Sequence, residues 1–429
     1  MGHPTSAELW DWQTDLLINI NYLISKTVRN LHVKKTKTWG EDVFSLLSWF
    51  DLKRTTEAKV LVAGAGALGN EVLKNLALFG VGNIIVIDFD TIEYSNLSRS
   101  VLFRPEDAKE KKPKVEVASQ RLREINPEIN VVPIHGNLGP EVGLGLFREA
   151  DVVIGCLDNR YARYLTNLHC FRVNKSWVDA GIENLDGYVR VFKPGVSCYE
   201  CNLTKEEIEH IAIRTGCPDI AKTNVSQGRI ATTPVSASIM GAIQVQEALK
   251  IIHEPLESNV KEFNTLVGKL LKYEGMFLSF KTYRMANYEN DCMSHEEWTP
   301  IIQLEQLSAD STVKEALDIL KQKLETSQVV LNLRNNMFIK SITTEDDDKQ
   351  HEVMIPESEI DRFLSENPLG LDTRKRIYQD YIENIGDDFL FQNLTLKQIG
   401  FPYYDIIQVS TSRGVSYVEL SADKSRYGF

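Results

Sequence analysis

Residues 59–69 read Lys-Val-Leu-Val-Ala-Gly-Ala-Gly-Ala-Leu-Gly, an apolar strand that runs directly into a glycine-rich turn. The spacing of Gly64, Gly66 and Gly69 is Gly-x-Gly-x-x-Gly. In such a turn the first glycine permits a tight bend and the second lets the backbone approach a phosphate. The third allows close packing of helix on strand, and the phosphate lies at the helix N-terminus. The stretch therefore predicts a phosphate-binding strand–turn–helix unit.

The flanking residues agree with this interpretation. A helical pattern covers residues 70–79, and a second strand at 84–87 ends at Asp88. An acidic residue about 20 positions past the glycines suits ribose hydroxyl groups. On this segment alone, an NAD-dependent dehydrogenase and an ATP-binding enzyme are equally open, and a tight turn without a ligand is a third interpretation.

Alternating patterns predict the fold class. We expect strands at 59–63, 84–88, 130–134, 151–155 and 176–179, separated by helices. This order is typical of a doubly wound, mostly parallel α/β sheet that binds ligands at the carboxyl ends of its strands. Further along, we expect a strand at 186–193, an irregular segment at 194–231, a helix at 232–252 and strands near 260–266 and 277–284.

The pattern changes near residues 294–303, which suggests a domain boundary there. We expect an N-terminal helical arm at 1–56, the α/β domain at 57–297 with a crossover loop at 202–231, and a smaller α+β domain at 298–429. A chain of 429 residues is also long enough for two domains.

Composition excludes several classes of protein. The net charge of −12 argues against a nucleic-acid partner, which would need a basic face. No run of 18 apolar residues and no signal peptide is evident, so we expect no membrane partner. Six cysteines are too few for a disulfide framework in a chain of this length. They fit a reducing cytoplasm, where thiols serve as metal ligands or nucleophiles.

Two spaced pairs suggest a metal site. Cys198 and Cys201 form Cys-x-x-Cys, and Cys292 and His295 form Cys-x-x-His far downstream. Both pairs fall outside regular elements, and three cysteines with one histidine suit a tetrahedral structural zinc site. Surface thiols with a solvated histidine, or a redox pair, are the alternatives.

Residues 88–99, Asp-Phe-Asp-Thr-Ile-Glu-Tyr-Ser-Asn-Leu-Ser-Arg, together with the glycine turn, resemble the ThiF/MoeB/HesA and ubiquitin-activating enzyme superfamily. The likeness spans roughly residues 57–295 and is closest to bacterial ThiF-like proteins that resemble ubiquitin-activating enzymes. Further matching motifs are Leu-Phe-Arg-Pro at 102–105, Pro-Lys-Val-Glu-Val-Ala at 113–118, Ile-Asn-Pro at 125–127 and Gly-Cys-Leu-Asp-Asn at 155–159.

The resemblance implies a Rossmann-like adenylation fold. It implies that ATP and Mg²⁺ are used to adenylate the C-terminal glycine of a ubiquitin-like protein of β-grasp fold. A homodimer is the usual assembly of such enzymes, and a conjugating-enzyme-like protein is a further expected partner.

The resemblance also assigns roles to residues. It places Asp88 on the ribose with Asp90 among the nucleotide contacts, and it places Asn96, Arg99 and Lys114 around the phosphates. Arginine can hold phosphate oxygens with a bidentate fork, whereas lysine is a mobile point charge. This chain has two extra residues before Pro113, so Lys112 competes with Lys114.

Asp158 is the expected magnesium ligand by the same resemblance. It follows an apolar strand, and its carboxylate oxygens suit Mg²⁺. An N-cap of the next helix is the alternative role, and both roles can hold. The family also supplies an arginine to the nucleotide from an N-terminal segment, but Arg29 and Arg54 lie in no motif that matches.

Cys217 is the expected thioester-forming nucleophile, because related activating enzymes carry this cysteine shortly after the first zinc pair. An inert thiol or a persulfide carrier is the alternative. The family often has four zinc cysteines, so His295 would be a substitution at the last ligand. Cys156 and Cys170 are expected in the core, and His169 is expected to be structural.

Residues 393–409 resemble the closing helix-to-strand segment of a β-grasp domain that recruits a conjugating enzyme, and a generic α+β appendage is the alternative. The combined hypothesis is an activating enzyme that adenylates a ubiquitin-like protein and then forms a thioester on Cys217. A MoeB-type adenylyltransferase for a sulfur carrier, which lacks the thioester step, is the first alternative. An NAD-dependent dehydrogenase is the second.

Overall fold

The computed structural model describes residues 39–216, 232–254, 264–289, 291–333, 337–344, 347–371 and 377–428. The chain divides into two compact units, Met1–Leu52 and Lys53–Phe429. In the first unit, one short helix, α1, covers Glu41–Phe44. Residues 1–38 of the expected N-terminal arm lie outside the described residues.

The remaining helices are α2 (Leu52–Glu57), α3 (Ala67–Phe79), α4 (Pro105–Lys109), α5 (Lys114–Ile125), α6 (Leu144–Glu149), α7 (Arg160–Arg172), α8 (Lys205–Gly216), α9 (Pro234–His253), α10 (Val313–Leu324) and α11 (Ile360–Glu366). The strands are β1 (Lys59–Ala63), β2 (Asn83–Asp88), β3 (Asn130–His135), β4 (Val152–Gly155), β5 (Trp177–Glu183), β6 (Asp186–Phe192), β7 (Lys269–Glu274), β8 (Ser279–Arg284), β9 (Ile301–Leu304), β10 (Val329–Asn332), β11 (Phe338–Thr344), β12 (Asp347–Pro356), β13 (Ile377–Ile382), β14 (Asn384–Ile385), β15 (Ile406–Thr411) and β16 (Gly414–Leu420).

The largest sheet has eight strands in the order β3-β2-β1-β4-β5-β6-β7-β8. Strands β3 to β5 of that order are parallel, and β6, β7 and β8 continue the sheet antiparallel. Strands β1, β2 and β4 are short runs of Val, Ile and Leu because helices cover both faces of a parallel sheet. The predicted doubly wound, mostly parallel α/β class is confirmed.

Two elements differ from the sequence prediction. Residues 205–216, expected to be irregular, form α8, which Thr204 and Glu207 begin with reciprocal side-chain-to-backbone hydrogen bonds. The strand expected near 260–266 falls largely on residues 255–263, which lie outside the described part; residues 264–266 are not in a strand, and β7 begins at Lys269. Gly268, with φ +69°, turns the chain immediately before β7, so the strand begins only after it.

The chain after residue 298 adds two smaller sheets. A five-stranded sheet has the order β14-β10-β15-β16-β9 and packs with α10 around its own core, and a three-stranded sheet has the order β12-β11-β13. Tyr404 and Ile406 join a second core with Leu146 and Phe147 of α6 and with β1 and β2 residues. The C-terminal sheet and the large sheet therefore share buried apolar surface. Among the helices described, none has the length and apolar character needed to cross a bilayer.

Candidate adenylation and zinc sites

Three neighbouring strands carry the predicted nucleotide-site residues. Strand β2 ends at Asp88, β1 leads into the glycine loop at 64–66, and β4 leads into the segment that contains Asp158. Because β2, β1 and β4 are adjacent and parallel, all three segments emerge at one edge of the sheet.

The three glycines of the loop have different physical roles. Gly64 has φ +100°, and a Cβ there would lie 2.4 Å from the carbonyl oxygen of Cys156. A Cβ on Gly69 would lie 2.1 Å from the carbonyl oxygen of Gly64. At Gly66 a Cβ would meet nothing within 4 Å. The first and third glycines are therefore required by the fold itself, and the second leaves open space in front of helix α3.

Asp88 fastens the glycine loop to the end of β2. One carboxylate oxygen accepts the backbone N–H of Ala65 at 2.7 Å, and the other accepts that of Asp90 at 2.8 Å. Burial raises the pKa of Asp88, while Lys114 and the two N–H donors act in the opposite direction. Each oxygen retains a second lone pair, so the carboxylate can still accept a hydroxyl group.

The structure distinguishes Lys114 from Lys112. The Lys114 Nζ lies 2.6 Å from a carboxylate oxygen of Asp90, and its backbone N–H donates to the Asp90 carbonyl at 3.0 Å. Its side chain is 9% exposed, at the start of α5. The Lys112 side chain is 41% exposed and pairs with Asp107 and Glu110 at 3.3 and 3.1 Å. The Lys114 side chain thus pairs with the segment that follows β2, whereas Lys112 meets that segment only through its backbone carbonyl, which accepts the N–H of Ile92 at 2.9 Å.

Asn96 and Arg99 lie on a short 3₁₀ segment after β2, at and just beyond Tyr94–Asn96. The Asn96 side chain accepts the N–H of Glu93 at 2.9 Å, and the Arg99 guanidinium donates to the carbonyl of Ser95 at 2.7 Å. These two hydrogen bonds stay within residues 93–99, and neither joins Asn96 or Arg99 to the glycine loop.

Asp158 is exposed at the N-terminal side of α7. The cap of this helix is Asn159, whose side chain accepts the N–H of Ala162 at 2.8 Å. The capping role considered for Asp158 therefore belongs to its neighbour. Arg163 holds the same loop through the carbonyl of Leu157 at 2.6 Å, and buried Asp179 holds Arg163 at 2.9 Å.

Asn70 is a fully buried polar residue that the sequence patterns did not single out. Its amide nitrogen donates to the carbonyls of Ala65 and Gly66 at 2.8 and 3.0 Å, and its oxygen accepts the N–H of Leu102 at 2.9 Å. It therefore joins the glycine loop to the segment after Arg99. Its one sequence signal is an amide directly after the third glycine, on a helix face that is otherwise apolar.

The residues at this edge fit a triphosphate and its metal. Open backbone at Gly66 and the Lys114 ammonium are donors of the kind that phosphate oxygens accept. The exposed Asp158 carboxylate supplies the oxygen ligands that Mg²⁺ prefers. The glycine loop and Lys114 could hold the phosphates of ATP, and Asp158 could hold Mg²⁺.

Cys198, Cys201, Cys292 and His295 converge although 94 residues separate the two pairs in sequence. Their ligand atoms all lie within 4.8 Å of one another. The Sγ atoms of Cys198 and Cys292 are 3.9 Å apart, and Cys201 Sγ lies 3.4 Å from His295 Nε2. Two sulfurs on a tetrahedral zinc lie about 3.8 Å apart, whereas a disulfide needs about 2 Å. The donor set and its spacing fit Zn²⁺.

Neighbouring residues hold these ligands in place. The ring of His295 stacks on that of Tyr288 at 3.8 Å and on that of Phe171 at 5.0 Å. Buried Asn167 donates to Cys198 Sγ at 3.3 Å. The hydrogen bond from Cys292 lowers the pKa of Cys198 to about 6, which favours the thiolate that a metal binds.

Cys217 lies outside the described residues. Cys156 and Cys170 are the two cysteines outside the candidate zinc site and apart from Cys217. They are poor nucleophiles, because burial raises the pKa of their thiols. Both are core residues, as the sequence predicts.

Comparisons with known proteins place the chain in one family, since the ThiF family profile matches residues 35–294. The SUMO-activating enzyme subunit 2 of Dictyostelium discoideum is 38% identical over 156 residues, which cover 36% of this chain and only 23% of that protein. The SAMP-activating enzyme E1 of Haloferax volcanii is 32% identical, over 53% of this chain and 77% of that protein. The sulfur carrier protein adenylyltransferase of Thermus thermophilus is also 32% identical, over 53% and 79% of the two chains. With the family profile covering more than half of its length, and with a glycine loop built as described above, this chain belongs to the ThiF family.

Proposed function

We propose that the protein uses ATP to adenylate the C-terminal glycine carboxylate of a ubiquitin-like protein. The observation that carries this proposal is the set of contacts among Ala65, Asp88, Asp90 and Lys114, at the sheet edge from which Asp158 also emerges. The relatives named as adenylyltransferases or activating enzymes support the same chemistry.

In the proposed reaction the partner's carboxylate attacks the α-phosphate of ATP, and pyrophosphate leaves. ATP brings about four negative charges, and the incoming carboxylate adds another, so positive groups must offset them. Lys114, with Arg99 from the neighbouring segment, supplies this charge from the protein. A magnesium ion held by Asp158 would neutralise further phosphate charge.

An exposed apolar surface supports a protein substrate rather than a small acid. Met276, Phe277 and Leu278, in the turn between β7 and β8, are 75%, 81% and 79% exposed. Leu185, beside this turn, is 40% exposed. The backbone N–H of Gly275 donates a hydrogen bond to the Asp186 carboxylate at 2.8 Å. Because β5 ends at Glu183, this surface flanks the sheet edge that carries the nucleotide residues. Exposed apolar patches of this kind mark protein interaction sites.

The first test is partner-dependent exchange between ATP and pyrophosphate, measured with Mg²⁺ and a ubiquitin-like protein that ends in glycine. Asp158→Ala should abolish exchange and keep the fold, because its carboxylate is exposed. Asp318→Ala, which changes an exposed aspartate on α10, is the matched control and should retain full exchange. If no cognate tail yields an acyl adenylate, the proposal fails.

We further propose that Cys217 takes the acyl group as a thioester and passes it to a conjugating-enzyme-like protein. A thiolate is a far better nucleophile than a hydroxyl at neutral pH. Cys217→Ala should keep exchange but lose the adduct that dithiothreitol cleaves. Cys217→Ser should give, if anything, an oxygen ester that resists dithiothreitol. A thiol-sensitive adduct on Cys217→Ala would exclude this role.

The alternative is a MoeB-type reaction, in which the acyl adenylate goes to a sulfur donor and the partner ends in a thiocarboxylate. The relative named as a sulfur carrier protein adenylyltransferase favours this outcome. The mass of the product decides, because a thiocarboxylate is about 16 Da heavier than the carboxylate and forms without an enzyme–partner adduct.

An NAD-dependent dehydrogenase is disfavoured by membership of the ThiF family. A rise in melting temperature with ATP and not with NAD would exclude the dehydrogenase. The assembly we propose is a homodimer, which sedimentation of the purified protein would check.

A further inference from the structure

A cavity of about 50 Å³ lies where the large sheet's layer meets the C-terminal sheet. Residues 139–144, the last turn of α7, Trp298 and strands β10 and β15 line it. It is remote in sequence from the glycine loop and from the zinc ligands, apart from Trp298, which lies three residues after His295. The nucleotide and zinc chemistry described above uses none of the side chains that line it.

Three polar atoms on this lining have no hydrogen-bond partner among the described residues. They are His169 Nδ1, Trp298 Nε1 and Gln408 Oε1. Their residues are 3%, 5% and 5% exposed, so bulk water does not solvate them. Leaving such an atom unbonded costs about 1–3 kcal/mol, and native proteins rarely do so. Three such atoms around one cavity indicate that a molecule in it completes their hydrogen bonds.

The three atoms define the chemistry of that molecule. The Trp298 indole N–H can only donate, and the Gln408 amide oxygen can only accept. Burial, followed by the charge of Arg172, lowers the pKa of His169 to about 3. The imidazole is therefore neutral at physiological pH, and its Nδ1 can donate or accept. The occupant needs an acceptor for Trp298 and a donor for Gln408.

The charges that line the cavity and its volume further limit which molecule can occupy it. One cation, Arg172, and one carboxylate, Asp405, line the cavity, and Arg172 also pairs with Glu296 at 3.6 Å. An isolated anion or cation would face the like charge as well as the opposite one. A single water needs about 10–15 Å³ of such space, so 50 Å³ admits a molecule of about four or five non-hydrogen atoms.

We propose that this cavity is a binding site for a small polar molecule without net charge, with an acceptor end and a donor end. Glycine as the zwitterion and acetamide have this chemistry and size. The site lies between the ThiF-family segment and the C-terminal sheet, so its occupant would contact both.

The test measures the melting temperature of the full chain with four probes at equal concentration and ionic strength: glycine, acetamide, acetate and methylammonium. The variants are Gln408→Leu, which removes the acceptor, and Trp298→Phe, which removes the donor. Gln120→Leu changes an exposed glutamine on α5 and is the matched control. Glycine also stabilises proteins by exclusion from their surface, so the readout is the difference between variants.

Glycine or acetamide should raise the melting temperature of the wild type and of Gln120→Leu by about 2 °C or more at tenfold saturation. Gln408→Leu and Trp298→Phe should not show this rise in melting temperature with glycine or acetamide. Acetate and methylammonium should not raise the melting temperature of any of the proteins. The proposal is overturned if neither neutral probe acts, if Gln408→Leu and Trp298→Phe respond like the wild type, or if an ion alone stabilises. A soaked crystal that shows only water in the cavity would overturn it as well.

Discussion

Lys112 and Lys114 lie two residues apart in the chain, but they make different ion pairs. Lys114 pairs with Asp90, two residues after Asp88, and Lys112 pairs with buried Asp107 of α4 and with exposed Glu110 just after that helix. We expect Lys114→Ala to lower partner-dependent exchange by about 10²–10³-fold, the usual effect of losing one preorganised charged donor. Lys112→Ala should keep exchange within about twofold. Equal losses in the two variants would contradict the assignment of Lys114 to the phosphates.

The candidate zinc ligands permit a test by conservative replacement. His295→Ala should lose bound zinc, because three thiolates without a fourth protein ligand make a weaker site. His295→Cys should retain about one zinc per chain, since a fourth thiolate restores a common structural set. Metal content by mass spectrometry and the melting temperature check both variants. Zinc retained by His295→Ala and lost by His295→Cys would contradict this ligand set.

The sequence predicted residues whose chemistry is local and missed residues that join distant segments. The two Cys/His pairs of the candidate zinc site were visible because metal ligands recur at fixed spacing. Asn70 and Arg163 were not visible, since their partners, Leu102 and Asp179, lie 32 and 16 residues away. The capping role near Asp158 was ambiguous by a single position, because Asp158 and Asn159 are both good N-caps.

The glycine loop, as an element, offers a pair of substitutions that separates folding from binding. Gly69→Ala places a Cβ 2.1 Å from a backbone oxygen, so it should destabilise the fold by more than about 2 kcal/mol. Gly66→Ala meets nothing within 4 Å and should leave the melting temperature nearly unchanged. It should nevertheless weaken ATP binding, because the added methyl group occupies the space in which the phosphate approaches.

Urea unfolding and ATP titration check the two glycine variants. If Gly66→Ala binds ATP like the wild type, the phosphate does not approach the loop at this residue. If Gly69→Ala is as stable as the wild type, the close contact with Gly64 does not constrain the loop.

Strands were predicted better than the segments between them. The parallel strands read as continuous apolar runs because both faces are covered. Helix α8 was missed because its apolar residues, Ile208, Ile211, Ala212 and Ile213, span less than two turns within a polar stretch. Residues 269–274, which form β7, were not predicted as a strand, because the Gly268 turn with positive φ before them leaves no mark on hydrophobic periodicity.

At the scale of the whole molecule, Glu149 at the end of α6 forms ion pairs and a hydrogen bond that connect the eight-stranded sheet to the C-terminal part of the chain. Its carboxylate accepts from Lys59 at 2.6 Å, from Lys424 at 2.8 Å and from Tyr404 at 3.0 Å. Arg148 beside it forms a two-pronged pair with Glu419 of β16. Lys59 belongs to β1, whereas the other partners lie in the C-terminal part of the chain.

This network gives a pH prediction. Burial disfavours the charge on Glu149, but hydrogen bonds from Lys424, Lys59 and Tyr404 outweigh it and lower the pKa from 4.5 to about 2. A carboxyl group whose pKa is lower in the folded than in the unfolded protein stabilises the fold at pH values above its pKa in the unfolded chain. The contribution, up to about 3 kcal/mol, should therefore be present above pH 4.5 and lost as the pH falls towards 2.

Urea unfolding of wild type and Glu149→Gln between pH 7 and pH 3 measures this effect. The difference in unfolding free energy should shrink as the pH falls. Glu305→Gln, at an exposed glutamate of the C-terminal part, should show no such trend. A difference that is constant over the range would mean that Glu149 acts through packing alone.

Gly143 is the N-cap of α6, and Gly145 lies in its first turn; a Cβ would lie 2.2 Å from the Tyr403 carbonyl oxygen at Gly143 and 2.4 Å from that of Tyr404 at Gly145. The backbone there is in direct contact with the chain that leads into β15, and Leu146 and Phe147 are covered from the same side. A shortened polypeptide that stops after the ThiF-matching segment would present this uncovered apolar face to solvent. We expect such a product to self-associate on expression, and co-expression of residues 298–429 as a separate polypeptide to rescue it.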